Sequence, residues 1–333
     1  MQRILLVLVA VVGSVFAAAQ LPSGPGPGRG AGPPAGMATA PIEKSYPAGI
    51  TGLMDVTYQS LQGFRPLTLD LYYAAADQRP RPAVIWIHGG GWQGGDARSL
   101  AMQAWGSMDQ LLARLAARGY VTVGVSYRLS GEVKFPAQIQ DVKAAVRWLR
   151  ANAQKYHIDP QRIAAWGESA GGQLASLLGT SCGVSELEGN TGNTGQSSCV
   201  QAVIDWYGPI DFLQQPANQG AAGTVPSSPE AALLGCALAR CAPELVRLSN
   251  ATSFLDAGDP PFLVMHGDAD TAVPMSQSRK FVDALQAKGV RAQLEIIPGA
   301  NHVWMGASAA QADGILKTVF DFLDRSFGVT PPR

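Results

Sequence analysis

Between Leu53 and Tyr73 apolar and polar residues alternate, first in VTYQ and then, after a turn around Gly63, in LTLDLYYA. That period of two predicts an antiparallel hairpin. AVIWIHGGG (83–91) is instead almost continuously apolar at its start, as a strand is when both of its faces are covered. A helical segment is predicted from about Arg98 to Arg118, ending at Gly119. YVTVGVSYR (120–128) repeats the buried-strand pattern. FPAQIQDVKAAVRWLRANAQKY (135–156) repeats the helical one, with Ile139, Val142, Ala145, Val146 and Leu149 at helical spacing. The cycle continues through strand RIAAWG (162–167), a helix from about Gly172, and strands AVIDWYG (202–208) and FLVMHG (262–267). It closes with helix 277–289, strand AQLEIIPG (292–299) and a last helix within 308–327.

Strands alternating with helices need crossover connections, so the expectation is an α/β fold with a mostly parallel central sheet and helices on both faces. The antiparallel opening makes the sheet mixed. Two loop-rich insertions interrupt the cycle, 183–200 and 211–260, and loops of that length are expected to form lids or binding loops. No internal repeat and no heptad run is present, which excludes a solenoid or a coiled coil.

The chain has 333 residues, of which 47% are hydrophobic, enough for a large core. Lys+Arg 25 against Asp+Glu 25 gives a formal net charge of +0, so no basic field exists to attract nucleic acid or an anionic membrane surface. The amino terminus, MQRILLVLVAVVGSVFAAAQ, has one positive charge, an apolar stretch from Ile4 to Phe16, and then Ala17, Ala18 and Ala19. This is a secretory signal pattern, expected to span residues 1–19 and to leave a secreted or periplasmic protein. The apolar stretch is shorter than the roughly 20 residues a spanning helix needs, so no membrane span is expected in the mature form. Residues 20–41 are rich in Pro and Gly and predict a flexible linker. One catalytic domain is then expected over 42–333. The four cysteines lie in or immediately beside the two insertions, and export permits their oxidation. Cys182 with Cys199 and Cys236 with Cys241 are the expected pairs, because each closes a short local loop. A zinc site would want tighter spacing and a nearby histidine.

In a sheet of this kind ligands bind beyond the carboxyl ends of the strands. Just past those ends stand Ser169 in Gly-x-Ser-x-Gly, His88 before Gly89, Gly90, Gly91 and Trp92, the run His266-Gly267-Asp268-Ala269-Asp270, and Asn301-His302. A serine hydroxyl needs a base to be a useful nucleophile near neutral pH, and imidazole suits that work. Of the four histidines, His88 and His157 precede the serine strand, and His266 ends its own strand, where it is expected to brace the loop. His302 follows both the serine and the acids, giving the order Ser, Asp, His of a fold with a nucleophile elbow. The small residues around Ser169 are then a steric requirement of a tight reversal.

Together HGGGW, GESAGG, HGDAD with Val273-Pro274, and GANH resemble the signatures of the α/β-hydrolase family, in particular its bacterial carboxylesterases, including acetyl-xylan and feruloyl esterase-like members. The similarity runs from Leu67 to about Phe322 with the motifs in order. It implies Ser169 as nucleophile, His302 as general base and acid, and Asp270 as the acid that orients the imidazole. Asp268 is the rival for that last role, but the family spacing Gly-x-x-Asp before Val-Pro selects Asp270. The oxyanion donors implied are the backbone N–H groups of Ala170 and of Gly90 or Gly91, because only residues without bulky side chains let a backbone come that close. Trp92 either walls the acyl pocket or packs beneath the loop; Glu168 either braces the elbow or points to solvent. Tyr127, Trp206, Tyr207, Phe212 and Trp304 are candidates for an aromatic acyl pocket or for core.

The expected activity is hydrolysis of a small or medium carboxylic ester, polysaccharide-linked esters included, through an acyl-enzyme. No cofactor and no metal are implied, since no phosphate-cradling loop or ligand cluster is present. A serine peptidase of the prolyl-oligopeptidase type is the alternative within enzymes. A carbohydrate-binding module that kept this fold without its chemistry is the alternative outside them.

Overall fold

The strands of the computed structural model, which describes residues 40–100, 105–218, 224 and 227–330, are, in chain order, β1 (Ile42–Tyr46), β2 (Ile50–Gln59), β3 (Leu67–Tyr73), β4 (Arg81–Ile87), β5 (Val121–Val125), β6 (Ile158–Glu168), β7 (Ala202–Trp206), β8 (Phe262–Gly267) and β9 (Ala292–Ile297). The helices are α1 (Met108–Ala117), α2 (Ala137–Ala151), α3 (Ala170–Thr180), α4 (Ser185–Glu188), α5 (Pro229–Leu234), α6 (Pro243–Ser249), α7 (Ser276–Ala287) and α8 (Ala309–Phe327). All nine described strands join one sheet in the order β1-β2-β3-β5-β4-β6-β7-β8-β9. Strands β1, β2, β3 and β5 pair antiparallel; from β5 through β4, β6, β7 and β8 to β9 every pairing is parallel. This is the mixed α/β sheet that the alternation predicted.

Its strands are continuously apolar because each face has its own core. Ala83, Ile85 and Ile87 of β4 face α2, α3 and α7, with Val142, Leu174 and Phe281 among the packed residues. The alternate residues Val84 and Trp86 face α1 and α8, against Leu112, Val319 and Leu323. Trp86 and Trp166 are register partners on this second face, and with Trp206 they meet edge to face at 4.8–5.8 Å. The closing helix α8 starts with a capping box between Ser308 and Gln311 and stops at Gly328 in the left-handed conformation.

Three expectations are corrected. Strand β1 was not foreseen: it is almost fully exposed and held through backbone pairing with β2, so no side-chain period marks it. Helix α1 begins at Met108, because Gly106 takes a positive φ of 80° and Ser107 is extended as the N-cap; of the helix expected from about Arg98, residues 101–104 lie outside the described residues. Helix α2 ends at Ala151, and the chain turns before His157 at φ 56°. The proposed leader at 1–19 and most of the linker at 20–41 lie outside the described residues.

The two insertions differ. Residues 183–200 are fastened to α2 at the far end of α3, whose 11 residues carry the chain about 16 Å from Ser169. Lys143 and Arg147, one turn apart on α2, both reach Glu188, at 2.7 and 3.0 Å. Arg147 also donates to the carbonyls of Gly192 and Thr191, and Arg150 to those of Ser197 and Cys199. This network fixes a polar segment that has little to bury, and the segment forms no lid over Ser169. The other insertion does reach the cavity above Ser169, through Gln215–Ala217 and Pro229–Glu230. Both expected disulfides are formed, Cys182–Cys199 and Cys236–Cys241, with Cα separations of 4.9 and 5.4 Å. Among the described residues no helix is long and apolar enough to cross a membrane, and no group of His, Cys, Asp or Glu is arranged to hold a metal ion.

Candidate active site

The register of the parallel strands brings the candidate residues together. Ile87 pairs with Gly167, Gly167 with Asp205, Trp206 with Met265, and Gly267 with Ile297, so five strands end close to one line, and four of them lead into the candidate residues. His88, Ser169, Asp270 and His302 follow those ends.

Ser169 stands between β6 and α3 at φ 52° and ψ −120°, outside the regions an L residue ordinarily occupies. Its N–H donates to Trp206 O at 2.8 Å. The strain persists because the surroundings leave no alternative. A Cβ on Gly167 would collide with the Gly171 carbonyl, and one on Gly171 with the Ile87 carbonyl. The expected steric need for small residues is met here. Underneath, the buried carboxylate of Asp205 accepts from Ser176 Oγ and Gly208 N at 2.9 and 2.8 Å. Burial pushes its pKa up to about 6 despite those two bonds.

Ser169 Oγ lies 2.9 Å from His302 Nε2, and His302 Nδ1 lies 2.7 Å from Asp270 Oδ2. The Asp270 side chain is sealed from solvent, while that of His302 is 17% exposed. Burial alone would raise the Asp270 pKa, but hydrogen bonds from His266 and His302 outweigh it and hold the carboxyl below its usual range. Its other oxygen accepts from the Ala272 and Val273 N–H groups at 2.8 Å each. With Asp270 ionised, the His302 proton belongs on Nδ1, leaving Nε2 free to accept from the serine hydroxyl. Asp268 instead caps the neighbouring loop, accepting from Gly299 N at 2.6 Å.

His266 braces that loop as expected and also touches the acid. Its Nε2 is 2.9 Å from Val273 O and 3.2 Å from Asp270 Oδ2, while Nδ1 meets Ser278 Oγ at 2.6 Å. That partner set puts the proton on Nε2. His88 is fully buried, stacked on Tyr127 at 4.2 Å, and burial lowers its pKa to about 4, so it stays neutral.

The glycine run of residues 89–91 rests on the elbow: a Cβ at Gly89 would lie 3.1 Å from Glu168 O and 3.3 Å from Ser169 Cβ. Gly90 and Gly91 take positive φ of 94° and 60°. Ala170 is the first residue of α3, where a backbone N–H has no partner within the helix. The glycine run and the start of α3 therefore both lie beside Ser169. Trp92 is 1% exposed, donates to Gln173 Oε1 at 3.3 Å and packs on Phe212, yet still borders the cavity. Glu168 is buried and accepts from Tyr207 OH at 2.9 Å, so it braces the elbow. Tyr127, Trp206, Tyr207, Phe212 and Trp304 are all core and do not border the cavity. The cavity measures about 700 Å³.

Three supports escaped the sequence reading. Asn301 Oδ1 accepts from His302 N at 2.7 Å and Thr271 N at 2.9 Å, tying the histidine loop to the acid loop. The Tyr207 ring packs against His302 at 4.8 Å. Gln173 holds Trp92 and donates to Ser249 O. Asn301 could have been read from GANH; the other two have no signature.

Residues 69–285 match the BD-FAE family, and residues 241–330 match the prolyl oligopeptidase family. Esterase LipC of Mycobacterium tuberculosis is 33% identical over 234 residues, 67% of this chain and 53% of that protein. The chain spans about half the length of the curated relatives it matches. Among solved structures, a truncated carbohydrate esterase from gut microbiota superposes with a TM-score of 0.73 at 31% identity, covering 85% of this chain and 99% of that one. Thermogutta terrifontis esterase 2 with propionate bound gives a TM-score of 0.66 at 27% identity, over 83% of this chain and 95% of that one. With this sheet, these motifs and these matches, the chain belongs to the BD-FAE family, within the bacterial carboxylesterases of the α/β-hydrolase fold.

Proposed function

We propose that this protein is an exported serine esterase that hydrolyses carboxylic esters through an acyl-enzyme on Ser169. The observation that carries the reading is the unbroken line of hydrogen bonds from Ser169 Oγ to His302 and on to Asp270, at 2.9 and 2.7 Å, at the edge of a cavity large enough for a small or medium ester. His302 Nε2 takes the hydroxyl proton as Oγ attacks the ester carbonyl. Negative charge gathers on the carbonyl oxygen and is met by the N–H groups of Ala170 and of Gly90 or Gly91. The imidazolium, steadied by Asp270, then protonates the departing alkoxy oxygen, and the alcohol leaves. Water enters, gives its proton to His302 and attacks the acyl carbon; His302 returns that proton to Ser169 Oγ as the Ser169–acyl bond breaks and the acid is released.

The domain plan proposed is a signal peptide at 1–19, a linker at 20–41 and the catalytic domain at 42–333. Export is supported by the leader pattern and the two disulfides, bonds that oxidising compartments favour. Acetyl or feruloyl esters of cell-wall polysaccharide are the substrates proposed, supported by the likeness to the carbohydrate esterase from gut microbiota.

A panel of p-nitrophenyl acetate, butyrate and ferulate beside aminoacyl p-nitroanilides tests the reading. Ester turnover with little or no amide turnover is expected. The reverse would favour the peptidase reading suggested by the match over residues 241–330. Asp270→Asn keeps the shape but favours the wrong His302 tautomer, and it is expected to lower kcat on the best ester by about 10⁴-fold. A loss under tenfold, measured at saturating ester, would move the orienting role elsewhere.

A further inference from the structure

We infer that Gln215 is a specificity-determining residue whose carboxamide hydrogen-bonds an oxygen function that the preferred ester carries away from its scissile carboxyl. The inference rests on the cavity being the ester site. Polar side chains bordering that cavity are otherwise occupied. Ser169 and His302 hold each other, Glu168 accepts from Tyr207, and Thr271 Oγ1 reaches Asn301 at 3.3 Å. Glu230 also has a partner of its own. Gln215 borders the same cavity at 3% exposure, and among the described residues its Nε2 meets no acceptor. A buried amide donor without a partner is uncommon enough in a folded protein to require an account.

The segment that carries Gln215 is also held in place before any ligand arrives. Gln277 Oε1 accepts from both Ile210 N and Asp211 N at 2.8 Å, and Asp211 accepts from Leu213 N at 3.0 Å. Gln215 N donates to Phe212 O at 3.3 Å, and Phe212 is buried against Trp92. The surrounding wall is apolar, made by Pro209, Pro216, Ala217, Pro229 and Val273. A hydrocarbon limb would fill such a wall and leave the amide unpaired. A limb carrying a hydroxyl, ether or carbonyl oxygen would fill it and pair the amide as well, and a half-turn of the carboxamide offers either donor or acceptor. A site that hydrogen-bonds its substrate rejects the analogue lacking that group.

The test compares wild type with Gln215→Met, which keeps length and removes the amide, on two matched pairs. On the acyl side these are p-nitrophenyl 3-hydroxybutyrate and butyrate; on the alcohol side, a monoacetylated methyl glucoside and cyclohexyl acetate. In one pair the oxygenated member is expected to lose about five- to tenfold in kcat/KM, mainly through KM, while its plain partner changes less than twofold. Equal changes in both members of both pairs, or no change in any, would overturn the inference while leaving the ester reading intact. No hydrolysis of any of the four esters by wild type would remove the ester reading and the inference with it. Should Gln215→Met fail to fold, Gln215→Ala on the same pairs has the same two outcomes.

Discussion

Ser169→Ala is expected to lower kcat on any ester the wild type hydrolyses by on the order of 10⁵- to 10⁶-fold, the range seen when a nucleophile is removed from an intact triad. The loss is of this size because, among the described residues, Ser169 Oγ is the one hydroxyl hydrogen-bonded to His302 Nε2. Residual turnover would come from the oxyanion donors and from binding alone. His302→Ala should cost a similar amount, and the double variant little more than either, since the two act as a unit. The folded state should change little, because alanine inherits the same strained backbone at φ 52°. Steady-state kinetics beside a melting curve therefore separate loss of chemistry from loss of structure. Wild-type-like turnover in a folded Ser169→Ala protein would discard the assignment.

Gly171→Ala is expected to be nearly as damaging to activity, by a different route. The added methyl would collide with the Ile87 carbonyl oxygen and come within 2.6 Å of the His88 carbonyl oxygen. Both obstacles are backbone, one at the end of β4 and one at the start of the glycine run, so no side chain can swing aside. Relief requires α3 to move away from β4, which shifts Ser169 relative to Gly90 and Gly91. Overpacking of this kind costs about 3 kcal/mol, a drop in Tm of roughly 5 °C for a domain of this size, and misplaces the oxyanion donors. Gly314→Ala is the control. Gly314 lies in α8 with nothing within 4 Å of where the new methyl group would stand, and alanine there should stabilise the helix by up to about 1 kcal/mol. Equal tolerance of both substitutions would show that the elbow is looser than its geometry indicates.

Much of this site was legible in the sequence because its chemistry is written at strand ends. Once β4, β6, β8 and β9 are recognised as parallel, the residues that follow them must share a rim, and Ser169, Asp270 and His302 do. The two disulfides were legible because each closes a short loop. Other features left no local trace. Strand β1 has no buried face to impose a period, and the start of α1 is set by the backbone at Gly106 and Ser107, not by composition. The 183–200 segment reads as a free loop until Lys143, Arg147 and Arg150 are seen on one side of α2, directed at it. Tyr127, Trp206, Tyr207, Phe212 and Trp304 could have lined the cavity, although aromatics at strand ends are more often core, and their burial places all five in core. Gln215 is illegible in principle, because what distinguishes it is the partner its amide lacks.

The central claim is that His302 activates one particular hydroxyl, and covalent labelling tests it most directly. The folded protein is treated with a fluorophosphonate at neutral pH, digested and mapped by mass spectrometry. A single adduct on the peptide containing Ser169 is predicted, formed at least a hundredfold more slowly in His302→Ala. No adduct on a folded, disulfide-intact protein, or an adduct on another residue at the same rate in both proteins, would contradict it.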